Sequence, residues 1–595
     1  MIEYYASSAR VNSYQDPWLV GEGLITSGSV SVPSLDLNFI TDGVSPLVTF
    51  SRGSNATQFD STGSLVYAPA NLLLRSQAFA TSPWVSGGLT SITNNTTDVT
   101  DPAGTNTATK LVVAGSAGLV GQNVVLSSIN QTGSVWLRCA SGTVTGSLIL
   151  FLSIAPGTVI GFQSITITTT WQRFTFNTSQ LPINGNTYTF NVQNLSGGTV
   201  YAWGAQLNPT PMVGGVTASL STYYPTVASA YYGPRLDYDP TTLASQGLLI
   251  EEQRTNSIRN NTMQGAVAGT PGTAPTNWSV TGTANGLTRT ISTGTENGIA
   301  YIDVRYAGTT TAASFCLVRP EAFNQVVAAS GQSWTSSLYM RVVAGSTVNI
   351  TGFENWIIGA DAGGATTESN QVTPAITGTM TRFTVSRTMN NASTAFVYPY
   401  VAFTFNSGVA IDITLRIGLP QLEQGAFATS VIPTTTAAAT RSADVASVNT
   451  LTPWYNAVEG TLFVSSVQFV TGSAGQLVAA ELGDGTLNNI MQVGTQFGLT
   501  NFQTIVNTGG VAQATFIQVA STSLTSRAFA YKVNDFAQSV NGAAASVDTA
   551  GTVPTVTSLG VGMRTNNASQ LNGYIRRITY YPRRLANAEL QAITS

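Results

Sequence analysis

The sequence predicts an all-β chain built from several sandwich modules, and three observations carry that prediction. Only 9% of the 595 residues are charged, against roughly a quarter in an average soluble domain, while 57 are glycine. The polar exterior must therefore come from Thr, Ser and Asn, a composition of strands and turns. Apolar and polar residues alternate in short runs such as 164–176 (SITITTTWQRFTF), 188–195, 346–353, 411–418 and 460–470, separated by Gly, Pro, Asn and Ser clusters. Alternation of that period sends successive side chains to core and solvent. Finally, the order of landmarks in the first half of the chain recurs in the second, which marks one fold used twice.

Taken in order, residues 1–36 match nothing else in the chain. They carry Trp18 and two Tyr-rich clusters but too few apolar residues for a core, so they order only by packing on something else. Residues 37–70 read as a connecting hairpin, with Arg52, Phe59-Asp60 and Gly63-Ser64-Leu65-Val66 as its signals. Module 1 spans 71–227. Its landmarks are Asn71, Trp84, Trp136-Leu137-Arg138, Trp171-Gln172-Arg173-Phe174, Ala205-Gln206-Leu207 and Tyr224-Pro225-Thr226. Residues 228–255 echo the first hairpin through Arg235-Leu236-Asp237 and Gly247-Leu248-Leu249-Ile250. Module 2, 256–440, repeats the landmarks as Asn256, Trp278, Tyr339-Met340-Arg341, Thr381-Arg382-Phe383, Pro420-Gln421-Leu422 and Ile432-Pro433-Thr434. Residues 441–595 have a different pattern and make a third sandwich, closed by Gly573–Tyr581 and a short helix over 585–591.

Composition excludes whole classes of chemistry. There is no histidine, so Ser-His-Asp, Cys-His and zinc-hydrolase mechanisms are ruled out. A formal charge of -3 provides no field to draw in nucleic acid or an anionic membrane. No window approaches the roughly 18 apolar residues of a membrane helix, and the start lacks the features of a signal peptide. Cys139 and Cys316, in apolar surroundings, read as buried free thiols. No metal or cofactor is expected.

Three strings resemble one family: GLLIEEQRTN at 247–256, WGAQL at 203–207, and QLEQGAFATSVIPTT followed by Thr440-Arg441-Ser442-Ala443-Asp444. They are similar to the carbohydrate-binding-like modules of tailed-bacteriophage virion proteins, tail-fibre or minor structural proteins. The end of the chain, NGYIRRITYYPRRLANAELQAIT, resembles the close of a laminin-G or concanavalin A-like lectin domain from the same proteins. The resemblance implies a jelly roll in each of the first two modules, a lectin-like sandwich at the C-terminus and a place on a virion assembled in the host cytoplasm. It also implies attachment to other virion proteins through residues 1–36, with Tyr4, Tyr5, Tyr14 and Trp18 as candidate contacts, and a homo-oligomer, with a trimer favoured. The function that follows is a tail fibre or appendage subunit adhering to host-surface glycans. A baseplate or capsid-decorating protein without a ligand, and a polysaccharide depolymerase, are the alternatives.

Candidate chemistry is sparse. Glycoside hydrolysis needs two facing carboxylates, and the best pair, Glu481 and Asp484, is spaced three apart, on opposite faces of a strand. No catalytic residue is assigned. Sugar recognition needs aromatic rings with amides and carboxylates beside them. The tryptophans at repeated landmarks read as core. Trp356 has no counterpart in module 1 and stands near the loop-like Asp361-Ala362-Gly363-Gly364, so Trp356 and Asp361 are candidate ligand contacts. Asp484, Asn488 and Asn489 are candidate lectin-type loop residues in the third module. Arg576-Arg577 and Arg583-Arg584 read as partners of local carboxylates or carbonyls.

Overall fold

A computed structural model describes residues 32–595 apart from 116, 213–222, 282–284, 472–474 and 499. Tyr4, Tyr5, Tyr14 and Trp18 lie outside the described residues. The chain divides into two compact units, one formed by Ser51–Leu243 with Gln253–Ser442, the other by Met1–Phe50, Ala244–Glu252 and Ala443–Ser595. The named strands pair antiparallel throughout, and the single helix among the described residues is short.

The first unit holds two β-sandwiches of one design. Module 1 runs through ten strands from Val85–Gly87 to Gly198–Pro209, and module 2 through ten from Ser279–Val280 to Ala410–Gln424. Counted from the first strand of each module, one sheet has the order eight-five-ten-three-two and the other seven-six-nine-four-one, identically in both. Apart from the hairpins formed by strands two and three and by strands six and seven, successive strands cross from one sheet to the other, as in a jelly roll. In module 1 the inward residues of both sheets, among them Leu111, Val135, Leu137, Leu148, Leu150 and Phe190, form one continuous core. In module 2 the core falls into two clusters. Asn355 separates them along its strand. It is wholly buried between Phe353 of one cluster and Ile357 of the other, and neither polar atom of its side chain has a protein partner.

The repeated landmarks are explained by a polar latch present twice. Asn71 is fully buried and its amide donates to the carbonyls of Ala205 (3.0 Å) and Tyr224 (2.8 Å), while its Oδ1 accepts from the N–H groups of Leu73 and Leu207 (3.2 Å each). Asn256 does the same to Pro420 O (3.4 Å), Ile432 O (3.0 Å), Ile258 N (3.0 Å) and Leu422 N (3.1 Å). Gln206 accepts from Tyr224 N (3.0 Å) and Gln421 from Ile432 N (2.7 Å). Each latch ties the segment entering a module to its last strand and to the segment leaving it. Trp84 and Trp278 are buried, each with its indole N–H on a carbonyl of the entering segment. Trp136 and Trp203 pack together with Ala108. Cys139 and Cys316 are free and buried.

Thr57–Phe59 and Leu65–Tyr67 form an antiparallel hairpin inside the segment read as a connector. Its turn requires Gly63, whose φ is +77° and where a Cβ would stand 2.7 Å from Pro240 O.

The second unit is a larger sandwich assembled from distant pieces of chain. One sheet runs Ser245–Ile250, Gly573–Tyr581, Glu459–Gln468, Thr525–Lys532, Phe536–Val540, Ser546–Asp548, and Leu35–Asn38 also lies on Gly573–Tyr581. The facing sheet runs Val445–Val448, Ser558–Val561, Val478–Gly483, Ile490–Thr495, Asn501–Thr508, Val511–Val519. Strands from the N-terminal region and from the 228–255 segment thus complete this sandwich alongside residues 441–595. Both suit the role: Leu35 and Leu37 alternate inward, and Gly247 to Ile250 are buried on both faces. The helix covers Asn587–Thr594, starting two residues and ending three residues later than the sequence predicts. Leu585 is tied by its N–H to Thr461 Oγ1, Ala586 is extended, and the N–H of Ala586 is capped by the Glu589 carboxylate at 2.6 Å.

Candidate functional site

The strongest concentration of recognition chemistry lies on the outward face of the second sheet of module 2. Strand Ile350–Ala360 alternates, so that Asn355 and Ile357 point inward and Glu354 and Trp356 outward. Its neighbour Phe396–Phe405 reads FVYPYVAFTF, with Val397, Val401, Phe403 and Phe405 buried and Tyr398 and Tyr400 facing out. The register sets Trp356 directly opposite Tyr400. Their ring planes are 26° from parallel with centroids 5.8 Å apart, and both rings are half-buried. The indole N–H donates to Glu354 Oε2 at 2.9 Å, which fixes the ring. Burial, together with the Glu354 charge, pushes the Tyr400 hydroxyl up to about 12, so it remains a proton donor at any physiological pH.

On the other side of Phe396–Phe405 lies Ser314–Arg319, where Val318 pairs with Val401. The next step of that register brings Arg319 opposite Tyr400. Its guanidinium stands 5.8 Å from the Tyr398 ring and 5.9 Å from that of Phe323, and those two rings meet edge to face. The result is a half-exposed floor of four aromatic rings with a cation at one end and a carboxylate at the other.

Of the candidates read from the sequence, Trp356 sits at the centre of this face. Asp361 does not reach it as a ligand group. Its Oδ1 accepts from the N–H groups of Gly363 and Ala365, both at 2.9 Å, and so folds the turn that follows the strand. That turn nonetheless borders the face, because a Cβ on Gly364 would meet the Phe323 ring at 2.6 Å. Tyr398, Tyr400, Phe323 and Arg319 escape the sequence reading, although Tyr398 and Tyr400 left a signal: aromatic rings at alternate positions on the parity opposite the buried valines.

Module 1 has no such floor. At the corresponding outward positions Ser147, Ile149 and Phe151 pair with Gln193, Asn191 and Thr189, so that no two rings face each other across the strands there. Asn191 leaves no room for more, since a Cβ on the neighbouring Gly121 would stand 1.5 Å from its Oδ1.

In the third module, Asp484 accepts from Thr486 N (2.8 Å), Thr486 Oγ1 (2.6 Å) and Asn489 Nδ2 (2.8 Å), and Asn489 Oδ1 accepts from Gly509 N (3.0 Å). Burial opposes ionisation of Asp484, but those hydrogen bonds outweigh it and hold the carboxyl below its usual range. The loop spends Asp484 and Asn489 on itself and leaves the Asn488 side chain exposed. The basic pairs are partnered, Arg577 with Asp36 at 2.6 Å, Arg583 with Glu589 at 2.6 Å, Arg584 with Asp535 at 2.8 Å, and Arg576 with Gln246 at 3.1 Å.

Glu481 is buried in its strand and accepts from Thr565 N (2.9 Å) and Thr565 Oγ1 (2.8 Å), with Arg564 Nε at 3.8 Å. Burial outweighs these contacts and raises its carboxyl above the ordinary 4.5. The folded state therefore holds this proton more tightly than the unfolded chain. Its contribution to stability is complete below pH 4.5 and is lost as the pH rises through the folded value. Glu481→Gln keeps an acceptor for Thr565 and removes the charge. Its thermal midpoint should exceed that of the parent by about 2–4 °C at pH 7, with the advantage vanishing in acid. Parallel pH profiles for the two proteins would rule this out.

A cleft of about 470 Å³ opens between modules 1 and 2, walled by Asn55, Thr57, Tyr67, Asn130, Thr434 and other neutral groups. Its one charged wall residue is Arg441, whose Nη1 donates to Ser430 Oγ at 2.8 Å. Among the described residues the walls carry no carboxylate and Tyr67 is their sole aromatic ring, so those walls offer neither an acid pair nor a stacking surface.

No family model and no curated protein matches the sequence. Among solved structures, the N-terminal CBM22-1–CBM22-2 tandem domain of Paenibacillus barcinonensis Xyn10C aligns at 10% identity over 60% of this chain and 98% of its own, with a TM-score of 0.20. An exo-β-agarase aligns at 11% identity over 30% of this chain and 26% of its own, TM-score 0.18. Trypanosoma rangeli sialidase aligns at 10% identity over 92% of this chain and 98% of its own, TM-score 0.19. The fold assignment rests on the chain's own sheet order.

Proposed function

We propose that this protein is a non-catalytic adhesin that holds carbohydrate on the aromatic face of module 2, borne in several copies on a tailed-bacteriophage particle. The observation that carries the binding reading is the Trp356–Tyr400 pair. Two nearly parallel, half-exposed rings lie on a rigid sheet, with the Glu354 carboxylate and the Tyr398 and Tyr400 hydroxyls beside them. Such rings take the apolar face of a pyranose, and the flanking polar groups take its hydroxyls. The sequence resemblance to phage virion proteins supports the particle, with residues 1–36 as the attachment. Weak single-site binding gains strength when many copies engage one surface.

Binding is favoured over hydrolysis because the one carboxylate on the floor, Glu354, is engaged by the Trp356 indole and the nearest loop acid, Asp361, holds its own turn. The test is the intact protein on a panel of immobilised bacterial surface glycans, with reducing ends measured in the supernatant. Retention without release of reducing ends is the expected result. Release of reducing ends would make the protein a depolymerase, and no retention on any glycan would remove the adhesin reading.

A further inference from the structure

Module 2 contains eight arginines and no lysine between residues 256 and 440. Seven of the arginines have polar partners. Arg259 pairs with Glu321 at 2.7 Å, Arg305 with Asp412 at 2.8 Å, Arg387 with Glu368 at 3.0 Å, and Arg341 and Arg416 share Glu296 at 3.1 and 2.5 Å. Arg289 donates to the carbonyls of Pro271, Val280 and Gly272, and Arg382 to Thr429 O and Ser337 Oγ. Arg319 alone, among the described residues, makes no ion pair and no side-chain hydrogen bond, and its Nε is buried without a partner. It is also the one that stands on the aromatic floor, in the corner of the Phe323 and Tyr398 rings.

Resting on the reading of that floor as a glycan site, we infer that its ligand is an acidic saccharide, whose carboxylate is received by Arg319 while a neighbouring ring stacks on Trp356 and Tyr400. A guanidinium presents a planar fork that matches a carboxylate with two parallel hydrogen bonds, and stacking on aromatic rings keeps the fork oriented without neutralising it. The local carboxylates are otherwise engaged. Glu321 belongs to Arg259, Asp361 to its turn, and Glu354 lies at the far end of the floor, bound to the Trp356 indole. Trp356 and Arg319 sit on strands either side of Phe396–Phe405, two strand spacings apart, which is roughly 10 Å and enough for about two sugar rings.

The test measures affinity of the intact protein for a glucuronic-acid-containing oligosaccharide and for the same oligosaccharide after carboxyl reduction, with Arg319→Gln and Arg319→Lys alongside. The parent should prefer the acidic form by about tenfold, and salt should erode that preference. Arg319→Gln should lose the preference and bind the two forms alike, with an unchanged thermal midpoint certifying that the fold is intact. Arg319→Lys should retain part of the preference, as a point charge without the fork. Equal affinity of the parent for both forms, or a preference that survives Arg319→Gln, overturns the inference and leaves the glycan site standing. Failure to bind either form, or any other glycan, overturns both.

Discussion

Asn71→Ala and Asn256→Ala should each lower the stability of the unit holding modules 1 and 2 by at least about 3 kcal/mol, among the largest effects of any single substitution in the chain. Each asparagine is fully buried and serves two backbone carbonyls and two backbone N–H groups. Truncation of Asn71 removes the side-chain partner of all four, truncation of Asn256 orphans three because Ile432 O keeps the Asn261 amide at 3.1 Å, and an orphaned buried polar group costs about 1–3 kcal/mol. For a unit of this size the thermal midpoint should fall by roughly 4–15 °C, read by calorimetry. Asparagine to aspartate separates hydrogen bonding from volume. The carboxylate fills the same space and still accepts from Leu73 and Leu207, or from Ile258 and Leu422, but it confronts two carbonyls with negative charge. Aspartate should therefore be no better than alanine. A loss below 1 kcal/mol from either alanine variant would mean that the latch does not hold the modules closed.

These latches also show why the architecture could be read from the sequence while the third sandwich could not be read in full. A buried group that must satisfy four backbone partners tolerates little drift, so Asn71, Trp84 and Gln206 reappear as Asn256, Trp278 and Gln421 in the same order. Strand pairing over long separations leaves no comparable trace. Leu35-Asp36-Leu37-Asn38 announces a strand by its alternation, but nothing local says that its partner is Arg577–Tyr580. The site divides the same way. Trp356 stood out because module 1 has no equivalent, whereas Arg319 became conspicuous only once seven other arginines were seen to be paired. Asp361, Asp484 and Asn489 have the composition of ligand loops, yet their side chains are consumed by their own turns, a use that short polar residues serve equally well.

Trp356→Ala should weaken glycan binding by about 30-fold or more, equivalent to about 2 kcal/mol, with little change in thermal stability. The small stability effect follows from position: the ring lies on the outer face, half-exposed, while the core side of the strand is filled by Ile357 and Asn355. The large binding effect follows from geometry, since removal of the indole takes away one of the two parallel rings and releases Glu354 from its 2.9 Å hydrogen bond. Phenylalanine in its place keeps the stack and loses only the N–H, so it should retain most of the affinity. Tyr400→Phe keeps both rings and removes one hydroxyl, for a loss of about three- to tenfold. Because the Tyr400 hydroxyl is pushed up to about 12 from its ordinary 10.0, the parent should bind equally well across neutral and moderately alkaline pH. Phe162 provides the control: it is 59% exposed on the matching sheet of module 1, where no aromatic floor exists, and Phe162→Ala should leave binding unchanged. A tolerant Trp356→Ala beside a sensitive Phe162→Ala would transfer the site from the second module to the first, because the two sheets share one strand order and differ in what they present outward.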